Sequence, residues 1–326
     1  MSDWVEVRAP ARLHLGFVDL HGGLGRRFGS LGLAITGQDA VVRACRGAPG
    51  ELDVQGMHAA RARAAAERMH AWLAPTAGTR VRVAHAARTH AGLGSGTQLA
   101  LTVAHAVAMA HGRTLGAREL APIVGRGARS GIGIAAFDAG GFIVDGGHGA
   151  VTRVPPVLAR LEFPLTWPIV LVFDDAHAGL HGAAERQAFH AAPPMSPTLA
   201  AELSRWCLVG ILPAVAEQDF AAFTRAVDAI QARIGDYFAP FQGGAAFTSP
   251  AVAAALADVR RTFALDGIGQ SSWGPTGFVF TPGSEVASAV VDRIAHVGGA
   301  HTRLTCEIVQ AANVGARWSA PPARSD

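Results

Sequence analysis

The sequence predicts an α+β protein of two domains. The chain has 326 residues, more than one ordinary domain needs and enough for two. Short segments of period-two alternation recur between longer stretches of helical pattern. A proline-marked break, Pro155-Pro156 followed by Pro164, falls near mid-chain. We place the domains at residues 1–160 and 161–326.

Residues 4–9 alternate and read as a first strand, which Pro10 is expected to stop. Residues 13–17 read as a continuing strand, with His14 on one face and Leu13 and Leu15 on the other. Residues 19–28 are a glycine-rich loop, and 30–36 and 40–44 are further strands. Residues 58–73 have helical composition and stop before Pro75, and 79–84 form a short alternating strand. Residues 97–110 are apolar nearly all round, the mark of a buried helix. A second helix covers 117–127 after Gly116. Residues 130–145 read as loop, small turn and a strand centred on Phe142, Ile143 and Val144. In the second half, 169–173 is a wholly apolar strand, and two helical stretches cover 198–238, the first interrupted by Pro213. Residues 250–263 form a helix with proline in its first turn. A glycine-serine loop at 269–277, a strand at 278–280, a helix at 284–297 and a strand at 301–309 follow. Residues 320–326 are expected to fray.

Composition narrows the chemistry. Half of the residues are hydrophobic and 16% are charged, which suits a large core and excludes a disordered chain. All 28 basic residues are arginine. Without lysine there is no Schiff base, hence no pyridoxal phosphate, and no Gly-Lys-Ser/Thr phosphate loop. Anions must be held by arginine, backbone N–H groups and helix ends. The net charge is +3 and the arginines are scattered, so no basic stripe points to nucleic acid. Cys45, Cys207 and Cys306 make neither a disulfide framework nor a zinc pattern. The start of the sequence has no apolar leader, and no span-length run is free of Gly, Pro or charge. A cytoplasmic protein without a membrane partner is expected.

The most informative stretch is Thr89-His-Ala-Gly-Leu-Gly-Ser-Gly-Thr-Gln-Leu-Ala100. Gly92, Gly94 and Gly96 alternate with Leu93 and Ser95, and the apolar helix follows at once. Glycine lets an anion approach the backbone. The first turn of a helix offers unpaired N–H groups and the positive dipole end, so the pattern is a ready phosphate cradle. Ser95, Thr97 and Gln98 add side-chain donors. A tight turn into a buried helix is the plain alternative.

Four further clusters carry polar chemistry. Arg12, His14 and Asp19 precede the loop holding Arg26 and Arg27, where an arginine can clamp a phosphate or carboxylate. Arg126, Arg129 and Ser130 lie among glycines, and Asp145 and His148 flank a turn after an apolar strand. Glu185 and Arg186 follow Gly179-Leu-His181 and either line a pocket or pair on a helix surface. Ser271 and Ser272 lie in a second glycine-rich loop, a candidate second lip for an anion.

With these segments in view, the chain resembles the GHMP superfamily of small-molecule kinases, through Gly92-Leu-Gly94-Ser95 with its helix and the loop at 269–277. It resembles most closely one member group, the beta-ribofuranosylaminobenzene 5′-phosphate synthases of methanopterin biosynthesis. That likeness runs through Arg12-Leu-His14-Leu-Gly16-Phe, Asp19, Gly25-Arg26, His90 to Gln98, Arg129 to Phe137 and Phe142 to His148, and extends to Glu185-Arg186 and Asn313 to Ala316. It implies a ribosomal-protein-S5-like first domain, a ferredoxin-like second domain, a site between them, and a homodimer.

The departures from the kinase pattern matter. The kinases usually carry Gly-Leu-Gly-Ser-Ser, and here the second serine is Gly96. An aspartate often follows their Ser-Gly pair by a few residues, and here Ile132 and Gly133 follow Ser130-Gly131. The resemblance implies phosphoribosyl transfer from phosphoribosyl pyrophosphate to 4-aminobenzoate, with release of pyrophosphate and carbon dioxide. It implies that Gly92, Gly94, Ser95, Gly96, Thr97 and Gln98 hold pyrophosphate, with magnesium, Mg2+, accompanying it. Arg26 would hold the benzoate carboxylate or the 5′-phosphate, and His14 and Asp19 would position the acceptor or handle a proton. Arg12, Arg129, Ser130, Asp145, His148, Glu185, Arg186, Ser271 and Ser272 complete the expected wall. An ATP-dependent small-molecule kinase and a non-catalytic anion-binding module are the alternatives. The choice between 4-aminobenzoate and 4-hydroxybenzoate stays open.

Overall fold

The computed structural model describes residues 4–176, 193–272, 274–298 and 304–319. The first half comprises β1 (Val5–Asp19), β2 (Gly29–Gly47), β3 (Leu52–Gly56), α1 (Ala59–Leu73), β4 (Gly78–His85), α2 (Ser95–Ala110), α3 (Ala117–Ile123), α4 (Ile132–Asp138), β5 (Phe142–Asp145) and β6 (Val157–Leu161). Then come β7 (Ile169–Asp174), α5 (Pro197–Glu217), α6 (Phe220–Phe238), α7 (Pro250–Phe263), β8 (Ile268–Gln270), β9 (Gly277–Phe280), α8 (Ser284–Gly298), β10 (Leu304–Val309) and β11 (Arg317–Ser319). A seven-stranded sheet has the path β11-β1-β2-β4-β3, with β5 also on β2 and β6 on β5. A four-stranded antiparallel sheet has the order β10-β7-β9-β8. The α+β class read from the sequence holds.

Several expected elements fold differently. The first strand does not stop at Pro10. β1 runs on through a register shift between Ala9 and Ala11, where β2 loops out between Ile35 and Ala40. Proline lacks an N–H, and it falls where the ladder is interrupted anyway. The two strands expected at 30–36 and 40–44 are the two halves of β2, joined by that excursion. The edge strand β3, parallel to β4, was not foreseen. α3 ends at Ile123, one residue after Pro122, and not at residue 127. The stretch read as loop and turn contains α4, whose entry is capped from side chains: Ser130 Oγ accepts from Ile132 N (3.1 Å) and Asp145 from Gly131 N (2.9 Å). Pro213 does not break α5; a π-helical stretch, Trp206–Ile211, precedes it.

The Pro10 shift decides what β1 presents to the helices. Before it, Val5, Val7 and Ala9 lie in the core under α1 and α2. After it, Ala11, Leu13 and Leu15 lie in the other large core, and Arg12 takes the α2 side, where its guanidinium donates to the Gly92 carbonyl. Inserting a residue into a strand exchanges its two faces.

β7 is apolar from Ile169 to Phe173 because both of its faces are covered. Ile169, Leu171 and Phe173 face α5, α6 and the first sheet, while Val170 and Val172 face α7 and α8. By length and composition α5 could cross a membrane, but Ala200, Leu203, Cys207, Ile211, Ala214 and Val215 of this helix are buried in the protein core. Rings of Phe142, Phe163, Trp167, Phe223 and Phe280 pack between the sheets at centroid separations of 4.9–6.4 Å. Phe163 is at the centre and 1% exposed. Phe163→Ala is expected to destabilise the fold by about 3–5 kcal/mol, measured as a lower denaturant midpoint; an unchanged midpoint would refute the central role of this cluster.

Candidate active site

The loop before α2 turns on left-handed residues. His90, Gly92 and Gly94 have φ of 60°, 78° and 75°. At Gly92 a Cβ would lie 2.2 Å from the Ser271 carbonyl oxygen, so only glycine fits. Gly94 is the N-cap of α2, and no side chain of the described residues caps the helix. The amides of Ser95 and Gly96 therefore have no acceptor within the helix. α2 is sixteen residues long, and its dipole adds positive potential at this end.

The second glycine-serine loop is stitched to this entry. Ser271 Oγ donates to the Gly92 carbonyl (2.8 Å) and accepts from His14 N (3.1 Å). Ser272 N donates to the His14 carbonyl (3.1 Å). A Cβ on Gly274 would meet Gly92 N at 2.3 Å, so the two loops touch backbone to backbone. Ser271 therefore joins the two halves of the molecule.

β1 supplies the floor. Arg12 lies under Gly94, where a Cβ would be 3.1 Å from its guanidinium. His14 is 4% exposed, packs 4.8 Å from Phe17, and neither ring nitrogen has a hydrogen-bond partner among the described residues. Burial holds its pKa well below the usual histidine value, and the positive charges of Arg12 and Arg129 push the same way. It is neutral near pH 7. Its ring opens on a narrow extension shared with Gly16, Phe17, Gln231, Ile234, Phe238, Gln270 and Ser272. This continues into a cavity of about 550 Å³ walled by Ile234, Phe238, Phe247, Leu256 and the amides of Gln231, Gln242 and Gln270. The sequence reading missed these glutamines. Gln231 of α6 donates to the Leu15 carbonyl (2.7 Å) and accepts from Gln270 N (3.0 Å), tying α6 to both lips. Gly16 was the available signal: a Cβ there would lie 2.1 Å from Ile234 Cδ1, and glycine inside a strand marks close approach.

Asp145 is the hub of a second cluster. Its carboxylate accepts from Ser30 Oγ (2.6 Å), Gly131 N (2.9 Å), Gly147 N (2.8 Å) and Ser130 Oγ (3.3 Å). Burial raises its pKa against the opposing pull of these donors. Arg26 donates to the carbonyls of Gly146 (2.7 Å) and Gly147 (2.8 Å), and both ring nitrogens of His148 face carbonyls, those of Gly127 and Thr152. Asp19 Oδ1 accepts from His21 N (2.7 Å) and Gly22 N (3.0 Å) and starts the glycine-rich loop. Gln98 donates to the Gly133 carbonyl (2.8 Å) and Thr97 packs on Gly133, so both anchor α4. The structure thus gathers Arg12, His14, Gly92, Gly94, Ser95, Gly96, Ser271 and Ser272 at one cleft. It places Asp19, Arg26, Ser130, Asp145 and His148 in the turns beside it. Glu185 and Arg186 lie outside the described residues.

The family description "GHMP kinases N terminal domain" matches residues 59–141. A beta-ribofuranosylphenol 5′-phosphate synthase of Archaeoglobus fulgidus is 33% identical over 290 residues, 85% of this chain and 88% of that protein. Its counterpart in Methanothermobacter thermautotrophicus is 33% identical over 311 residues, 88% of this chain and 92% of that protein. The chain belongs to the beta-ribofuranosylphenol 5′-phosphate synthase family. Among solved structures, a homoserine kinase of Cytophaga hutchinsonii superposes with a TM-score of 0.66 at 14% identity, covering 98% of both chains. The mevalonate kinase of Methanococcus jannaschii gives 0.68 at 11% identity, covering 94% of this chain and 98% of that one. These two likenesses show the fold of the family. The chain is an enzyme of this synthase family built on the GHMP kinase fold.

The lowered pKa of His14 has a consequence for stability. Its folded value lies below the unfolded value of about 6.5, so the unfolded chain takes up protons first as pH falls. Its contribution is complete above about pH 6.5 and is lost below it. Burial gives His70, His105 and His111 the same sign. The melting temperature is expected to fall between about pH 7.5 and about pH 5, and to fall less in His14→Gln. Equal falls in both proteins would contradict the buried, neutral state of this ring.

Proposed function

We propose that the enzyme transfers a 5-phosphoribosyl group from phosphoribosyl pyrophosphate to a para-substituted benzoate. The bond from ribose C1 to the pyrophosphate oxygen breaks, and pyrophosphate leaves with the electron pair. Ribose C1 bonds to the ring carbon that bears the carboxylate. The bond from ring to carboxylate then breaks, carbon dioxide departs, and aromaticity returns. The observation that carries this reading is the uncapped entry of α2, reached through Gly92 and Gly94, beside an apolar cavity closed by a neutral, unpartnered histidine.

Each part has a task. The amides of Ser95 and Gly96 face an oxyanion whose charge grows as pyrophosphate leaves, and fixed donors favour that state. Arg12 adds positive charge beneath the same turn. The acceptor ring would sit in the larger cavity against Ile234, Phe238 and Phe247, reaching toward Phe17 and His14. A para amino or hydroxyl group feeds electrons to the attacking carbon. The reaction needs no net proton transfer, so His14 serves by orienting the acceptor through one ring N–H and one ring lone pair. The relatives' name specifies a phenol product, which 4-hydroxybenzoate would give; with that acceptor, neutral His14 would take the phenol proton during attack and return it as carbon dioxide leaves. With 4-aminobenzoate no proton would pass through His14, which would only orient the acceptor by hydrogen bonds.

Magnesium was expected with pyrophosphate. Among the described residues no three His, Cys, Asp or Glu side chains gather into a metal site. Asp145 is already surrounded by four donors and Asp19 Oδ1 by two. The described residues offer no three-ligand cage, and a magnesium ion carried on the donor's phosphate oxygens, as such ions usually are, is part of the proposal. A homodimer of this enzyme is likewise part of the proposal.

Wild-type enzyme with phosphoribosyl pyrophosphate, magnesium and carboxyl-labelled 4-aminobenzoate or 4-hydroxybenzoate is expected to release the label and form pyrophosphate. ATP consumption with a phosphorylated product would instead identify a kinase. Gly94→Val combines a left-handed φ with contact on Arg12, and is expected to raise the donor KM about tenfold or more, about 1.4 kcal/mol; unchanged donor saturation would remove the cradle. Arg26→Ala is expected to lower kcat while the melting temperature moves little, because its two bonds hold only the 146–147 turn.

A further inference from the structure

Three arginines that the sequence reading did not assign converge on the first turn of α2. Arg61 and Arg68 are seven residues apart on α1, two turns on one face of the helix. Arg126 follows α3. Gly96 is where they meet α2: a Cβ there would lie 3.6 Å and 3.8 Å from the two terminal nitrogens of Arg126 and 3.7 Å from one of Arg61. Gly125, at φ +67°, yields to Arg68 in the same way, since a Cβ there would lie 2.3 Å from its guanidinium. These side chains border a cavity of about 180 Å³ whose other walls are Ala64, Ala65, Ala100, Val124 and Gly125. None of its lining residues is acidic. Arg126 Nε is buried with no hydrogen-bond partner among the described residues.

Like charges brought together without a counterion repel, and the described residues lining this cavity include no acidic one. Burial, and then the charges of Arg61 and Arg68, lower the pKa of Arg126. An anion with several oxygens would relieve the repulsion, satisfy Arg126 Nε and reach the open amides of α2 together. Small residues at 64, 65, 96, 100 and 125 leave the room.

We infer that Arg61, Arg68 and Arg126 form a cationic wall over the entry of α2 that binds a phosphate group of the substrate. The proposal rests on the reading of α2 as the phosphate cradle and names the side chains that complete it. The chemistry is that of a phosphoanion, which either the pyrophosphate end or the 5′-phosphate end of the donor supplies.

The test is calorimetric titration of inorganic pyrophosphate, and separately of ribose 5-phosphate, into wild type and the Arg61→Gln/Arg126→Gln double variant. Wild type is expected to bind, and the double variant to lose about tenfold or more in affinity for one of the two probes. The probe that loses affinity identifies the end of the donor held by the wall. Gly96→Glu serves as a second variant that does not remove the arginines. It would set a carboxylate among them at a helix N-terminus, so its melting temperature is expected to rise while the probe held by the wall no longer raises it further. The inference is overturned if a cooperatively folded double variant binds both probes as wild type does. If the double variant does not fold, unaltered binding of both pyrophosphate and ribose 5-phosphate by Gly96→Glu overturns it. Label release separates the two readings. A wild type that releases no carbon dioxide, beside a double variant that loses affinity for one probe, loses the reaction and keeps the wall. A double variant that binds normally, beside a wild type that releases carbon dioxide, loses the wall and keeps the reaction.

Discussion

The close approach of two main chains holds the active cleft together. Ala91 and Gly92 of the loop before α2 lie against Gly274 of the late loop with no room for a side chain. Ser271 locks the contact by bonding to Gly92 and to the amide of His14. Each such bond contributes only about 0.5–1.5 kcal/mol net, so the constraint lies more in geometry than in strength. Two glycines from distant parts of the sequence must both lack Cβ atoms for the halves to meet. That meeting sets where the α2 amides point relative to the cavity under α6.

A second constraint acts along β1. The shift at Pro10 exchanges the faces of the strand, so apolar residues that serve the core under α2 give way to Arg12. An unbroken strand would have carried an apolar side chain to that position and turned Arg12 into the core between the sheets. A further shift between His14 and Gly16 lets Phe17 join His14 over the cavity. One long strand thus forms core at its start and binding surface at its end.

What the sequence disclosed follows from the range of the interactions involved. The helices α1, α2, α7 and α8 were legible because glycine, proline and apolar spacing act within a few residues. The loop at 89–100 was legible for the same reason. α4 was not, because one of its capping acceptors, Asp145, lies fourteen residues after the amide it binds. The continuation of β1 past Pro10 depends on an excursion in β2 that no local pattern announces. Arg61 and Arg68 have helical spacing, yet only the packing of α1 and α3 against α2 brings Arg126 to them. Ser271 looked like a ligand-facing residue beside glycines, and its hydroxyl instead bridges the two halves.

β11 pairs with β1, Glu6 opposite Ser319 and Arg8 opposite Arg317. The strand that flanks β1 is therefore made some three hundred residues after it, when β1 to β9 have already been synthesised. During synthesis β1 must wait with one edge uncovered, an open template for pairing with a neighbouring nascent chain. Such late zippering ties the survival of the first half during translation to the arrival of the last short strand.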